Sequence, residues 1–78
     1  MNKEQLKELD DLYVQIEMVN HLGFDEVNIG GNGCSAFEVS RCIHAVYEIL
    51  GLEKPEVTDD MLREYLVEAG EDPEDYDL

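Results

Sequence analysis

The feature that most limits what this chain can fold into is the placement of its charge. Its 20 acidic residues face 5 basic ones, a net charge of −15 over 78 residues. Residues 1–26 hold seven acids and two bases, and residues 53–78 hold eleven acids and two bases. Residues 27–52 hold only two acids and one base. A core must therefore form around a nearly neutral middle, with the two ends supplying helices whose outer faces are acidic. At 44% hydrophobic residues the chain is too apolar for a disordered acidic segment. Its length allows one small domain and excludes a two-domain enzyme. Five cations cannot build a basic surface for nucleic acid, so direct nucleic-acid binding is excluded as well. No run of 18 apolar residues exists to span a membrane. The segment Met1–Glu8 has no apolar stretch of the signal-peptide kind, which reads as an intracellular, cytoplasmic protein.

Hydrophobic spacing predicts the elements. Asn2 with Gln5 three residues later forms a capping-box pattern, and Leu6, Leu9, Tyr13 and Ile16 follow at helical spacing. Gly23 is a stop, so the first helix spans about 3–22. Val27 and Ile29 alternate with polar residues, and Gly30-Gly31-Asn32-Gly33 supplies turn chemistry. A hairpin pairing about 26–30 with 34–38 is expected. The rival reading starts a helix at Ser35, with Glu38 completing a cap. Ser40 is a second cap candidate, followed by a stripe of Val39, Ile43, Val46 and Leu50 with Cys42 and Ile49 beside it; Gly51 ends that helix. Thr58 caps a third helix, with Asp59 and Asp60 in its first turn, and Met61, Leu62, Tyr65, Leu66 and Ala69 on its buried face. The fold class is thus α+β and mostly helical: three helices with a short β-hairpin between the first and second. Residues 1–70 read as a single compact domain and residues 71–78, with five acids, as a flexible acidic tail.

A domain this small holds only ~3–5 kcal/mol of net stability, and small domains often recruit a metal, a disulfide or a second subunit. His21, Cys34, Cys42 and His44 are the residues to weigh. Two thiolates and two imidazoles would complete a tetrahedral shell, and such a structural zinc site would staple the glycine turn to both flanking helices. Against it, residues two apart on a helix point about 160° apart, so Cys42 and His44 both ligate only where the helix is distorted or starts later. The plain alternative makes Cys42 a small core residue, Cys34 a loop thiol and the histidines surface groups. An intracellular setting disfavours a Cys34–Cys42 disulfide.

Nothing in the pattern demands catalysis. The acidic pairs Asp10-Asp11, Asp25-Glu26 and Asp59-Asp60 read as solvated groups, and a cysteine with His44 as nucleophile and base would lack walls to enclose a substrate. The chain reads as a non-enzyme. The glycine turn lacks the lysine and spacing of a phosphate loop.

The charge itself points to a function. Solubility needs a net charge of ~2–8 in a small domain, and this chain carries about twice the upper figure. A folded body of this length has a radius of gyration near ~12 Å, and a ~30 Å stretch of duplex carries ~18 charges. The protein can therefore sit in a basic groove built for nucleic acid. In size, charge and helical pattern the chain resembles small acidic phage-encoded anti-CRISPR proteins of the type II-A inhibitor style. The resemblance covers the whole chain and rests on no diagnostic motif. It implies a cytoplasmic inhibitor, in the host cell if phage-encoded, that binds an RNA-guided CRISPR nuclease and blocks guide or target loading. It also implies that Asp10, Asp11 and Glu17 of the first helix and Asp59, Asp60, Glu64 and Glu68 of the third are the contact residues, with any zinc structural. An antitoxin or immunity protein against a basic toxin would use the same electrostatics. An acyl carrier protein is similar in length and acidity; its Asp-Ser-Leu motif has only Cys34-Ser35-Ala36 as a counterpart, and Ser35 would carry the prosthetic group.

Overall fold

The computed structural model describes all 78 residues and bears out the α+β, mostly helical reading. Helix α1 (Lys3–His21) starts at Asn2, whose Oδ1 accepts the Gln5 N–H at 2.8 Å. The Gln5 side chain accepts the Asn2 N–H at 3.0 Å, so two otherwise orphaned donors are satisfied. Strands β1 (Glu26–Ile29) and β2 (Asn32–Ser35) follow as an antiparallel hairpin, with Val27 opposite Cys34 and Ile29 opposite Asn32.

The hairpin is tighter than expected. Gly30 and Gly31 both take left-handed φ, 60° and 86°, which a two-residue turn requires. Asn32 and Gly33, expected in the turn, therefore lie in β2. Helix α2 (Ala36–Leu50) starts at once, and Ser35 serves both elements. It ends the strand and caps the helix, its Oγ accepting the Glu38 N–H. Hairpin and early helix start thus coexist, and Ser40 lies inside α2 instead of capping it. Gly51, at φ 65°, ends α2. Helix α3 (Asp59–Glu68) is capped by Thr58, whose Oγ1 accepts the Met61 N–H at 3.3 Å. Within the segment expected as a flexible tail, Pro73–Tyr76 forms a 3-10 turn. There the Tyr76 ring meets Phe24 edge to face at 6.0 Å.

The main core joins Tyr13, Ile16 and Val19 of α1, Val27 of β1, and Ala36, Ile43 and Tyr47 of α2. Leu62 and Leu66 bury the inner face of α3; Met61 and Tyr65 are half-buried and Ala69 is exposed. The rotation of α2 differs from expectation. Tyr47 is fully buried, whereas Val46 and Leu50, expected in the core stripe, are 39% and 51% exposed. From Ile43, Tyr47 lies about 40° around the helix in one sense and Val46 about 60° in the other. The helix turns its tyrosine inward because that ring has the larger apolar area and its hydroxyl finds a partner across the core. Cys42, one possible core residue, is exposed as a result.

The placement of the α2 cap predicts a substitution pattern. Ser35→Ala lowers stability by about 1 kcal/mol, and Ser35→Asp is nearly neutral because aspartate caps as well as serine. Denaturant midpoints in which Ser40→Asp is the neutral change and Ser35→Ala costs nothing would place the helix start at residue 40.

Candidate functional site

Two carboxylates of α1 turn inward. Asp10 and Glu17 are seven residues apart and so leave the helix on nearly the same side. The Tyr47 hydroxyl donates to Asp10 Oδ1 at 2.5 Å. The Ser40 hydroxyl donates to Glu17 Oε1 at 2.8 Å, and His44 Nε2 lies 2.8 Å from the same oxygen. Ser40, His44 and Tyr47 follow one another at helical spacing along α2, so one face of α2 answers two carboxylates of the antiparallel α1. Tyr13 completes the seam, its ring 5.2 Å from His44 and 4.8 Å from Tyr47. Burial raises the Tyr47 phenol above the usual tyrosine range, and the hydrogen bond to Asp10 raises it further. Burial and then the nearby Glu17 charge raise Tyr13.

The Ser40–Glu17–His44 group is a clasp. In a serine nucleophile system the imidazole lies between hydroxyl and carboxylate and takes the hydroxyl proton. Here the carboxylate lies between the other two and accepts the hydroxyl proton's hydrogen bond itself. The arrangement joins two helices and activates no nucleophile. Ser35, the residue a carrier role would use, spends its hydroxyl on the α2 cap.

The four residues expected to hold zinc do not meet. His21 is exposed at the end of α1, and His44 is engaged with Glu17. Cys34 is half-buried on β2, its Sγ 3.8 Å from the Asn32 carbonyl, and Cys42 is exposed on α2. Cys42 and His44 lie within regular helix and point to different sides. No three His, Cys, Asp or Glu side chains are grouped to hold a metal ion. The arrangement does not fit a tetrahedral zinc shell.

The remaining acids form the surface. Asp11 pairs with Lys7 at 2.7 Å, Glu48 with Lys54 at 3.4 Å, and Asp60 with Arg63. These are the only pairs with a lysine or arginine, so all but three of the 20 acidic residues have no Lys or Arg partner. Of the seven expected contact residues, Glu17 is committed to the clasp and Asp10 to the Tyr47 hydroxyl, and the other five are exposed. Asp59, Glu64 and Glu68 are exposed on α3 without a cation. Glu64 and Glu68 flank a hollow of about 300 Å³ that also exposes Met18, Met61 and Tyr65. Sequence reasoning missed Glu71, Asp72, Glu74, Asp75 and Asp77 as surface-forming residues. They extend the acidic run beyond α3 on a segment that packs with it. Their density was visible, but the packing of Tyr76 that orders them was not. Burial and then the charges of Glu71 and Asp75 raise the Tyr76 phenol. No helix is long and apolar enough to cross a membrane. No protein-family model, curated protein or solved structure matches the chain.

Three raised phenols set an alkaline limit. The unfolded chain ionises its tyrosines near 10.0, whereas the folded chain keeps Tyr13, Tyr47 and Tyr76 neutral to higher pH. The folded state then binds more protons, so stability is full below pH ~10 and falls as pH rises further. Native protein at pH ~11 will show less tyrosinate absorbance than protein in urea, and Tyr47→Phe will flatten the fall in stability. Equal absorbance in folded and unfolded protein would contradict the buried hydroxyls.

Proposed function

We propose that this protein is an acidic inhibitor that occupies the basic nucleic-acid-binding surface of a nuclease, and that the nuclease is an RNA-guided CRISPR effector. The exposed carboxylates of α3 and of the segment after it carry this reading. Residues 53–78 hold eleven acids against two bases, and both bases are already paired, Lys54 with Glu48 and Arg63 with Asp60. Such a surface is costly to a fold with only nine buried residues, and a partner's Lys and Arg side chains relieve its self-repulsion on binding.

Dimensions support the reading. The molecule measures 38 × 23 × 19 Å. Duplex DNA of the longest of these lengths carries ~22 phosphates, at one per ~1.7 Å. The chain's net −15 is of the same order over the same length. A groove shaped and charged for a duplex therefore gains comparable Coulomb energy from this protein, and the long-range field speeds encounter. The chain acts by occupancy and performs no chemistry on the partner. Carboxylates that anchor the fold, Asp10 and Glu17, do not contact the partner; Asp59, Asp60, Glu64 and Glu68 do, and the half-buried Met61 and Tyr65 beside them add apolar contact.

The test is inhibition of target cleavage by a purified type II-A RNA-guided nuclease, with the inhibitor added before the guide and, separately, after it. Reversal at Asp59, Asp60 and Glu64 together (D59K, D60K, E64K) raises the half-inhibitory concentration at least ~10-fold, about 1.4 kcal/mol. Glu38→Lys on α2 changes it less than ~3-fold. Equal effects from both sets would remove α3 from the contact surface. Undiminished cleavage in the presence of the native protein would sink the reading for this nuclease class.

A further inference from the structure

The inward turn of Tyr47 leaves the opposite face of α2 without a cover. Cys42, Ala45, Val46, Ile49 and Leu50 lie along this outer side, and Ile49 is 83% exposed. Leu9 and Leu12 of α1 and Val46 line a shallow, mainly apolar hollow of about 510 Å³ that widens the stripe, with Gln5 and Glu8 also lining it. Isolated exposed apolar residues are ordinary, but a contiguous stripe along a 15-residue helix marks an interaction surface. The face carries little net charge, since α2 holds only Glu38, Arg41 and Glu48, with Glu38 at the N-terminal end of the stripe.

Those charges indicate what covers it. Arg41 has no carboxylate partner despite the 20 acids of the chain, and its guanidinium lies over the exposed Phe37 ring at 5.8 Å. Arg41 and Glu48 are seven residues apart, on the same flank of the apolar stripe. When two identical helices pack antiparallel, such a flank meets its own copy, so position 41 of each comes to face position 48 of the other. We propose that α2 is a self-association surface. Two copies pair their α2 helices antiparallel about a two-fold axis near Ala45, and Arg41 of each copy pairs with Glu48 of the other. The contact is isologous, as two-fold dimers require, and the small Ala45 on the axis lets the helices approach closely.

The size is sufficient for a modest dimer. A helix of 15 residues is ~22 Å long and ~10 Å across, and the α1 flank roughly doubles that width. The two footprints together approach the ~1,000 Å² lower bound for a specific interface. Between bodies of net −15, only a nearly neutral face allows such approach, and the repulsion of the remainder is screened by salt. This dimer therefore tightens as ionic strength rises.

Sedimentation equilibrium of the full chain at ~10–500 μM tests the proposal in low and in ~0.5 M salt. The expected result is a monomer–dimer equilibrium shifted toward dimer by salt. Ile49→Asp, at an exposed position, abolishes it without loss of helical circular dichroism. Arg41→Glu weakens it at least ~10-fold, and the double change R41E with E48R restores it to within ~3-fold. With Cys34 and Cys42 replaced by serine, Ala45→Cys gives a disulfide-linked dimer on mild oxidation. A monomer at every concentration and salt overturns the proposal. So does a dimer that ignores Ile49→Asp, or a double swap that leaves the dimer as weak as the single change.

Discussion

Mutual repulsion among fifteen uncompensated negative charges is the constraint to which the rest of this structure responds. The response begins with segregation. The hairpin and α2, which carry almost no net charge, form the centre, while α1 and α3 contribute apolar faces and keep most of their acids outside. Two acids could not be kept outside without opening the α1–α2 seam, and each is answered by α2. Tyr47 donates to Asp10, and Ser40 and His44 hold Glu17. No buried side-chain polar atom is left without a partner. Hydrogen bonds to a charged acceptor contribute about 1.5–3 kcal/mol each, more than exposed ion pairs of the Lys7–Asp11 kind. In a fold this small, such bonds are a large fraction of the total.

Local signals in the sequence were enough for the element order, because caps and turns act within a few residues. Asn2, Thr58 and Gly51 mark helix ends by chemistry that needs no distant partner. The rotation of α2 was not legible in the same way. Beyond Arg41 its apolar residues other than Ala45 fall at 42, 43, 46, 47, 49 and 50, which gives two overlapping stripes, and helical period alone does not choose between them. The choice is made by Asp10, 37 residues away, which receives the Tyr47 hydroxyl. The same limit applies to the acids. Asp10 and Asp11 are adjacent and alike, yet one faces α2 and the other faces water beside Lys7. Zinc ligation by His21, Cys34, Cys42 and His44 rested on residue type and count. Geometry distributes those four residues over three elements and commits His44 to Glu17.

The two surfaces that result have opposite character. The α3 side is acidic, with the half-buried Met61 and Tyr65 beside its carboxylates, and is the side proposed to meet a cationic partner. The outer face of α2 is apolar and nearly neutral, and it fits a second copy of itself. The second follows from one packing decision: burying Tyr47 fixes Asp10 inside and rolls Val46, Ile49 and Leu50 outward. Self-pairing through α2 would set two acidic surfaces on one particle and strengthen its hold on an extended basic groove through effective concentration.

The central claim is that the acidic surface was built to meet a cationic cavity. The dissociation constant for a purified type II-A RNA-guided nuclease, followed as salt rises from ~50 to ~500 mM, tests it most directly. The account predicts a straight decline of log affinity with log salt, losing at least ~10-fold over the range. An affinity that holds constant, or grows, across that range would mean that apolar contact carries the complex and that the charge serves another purpose.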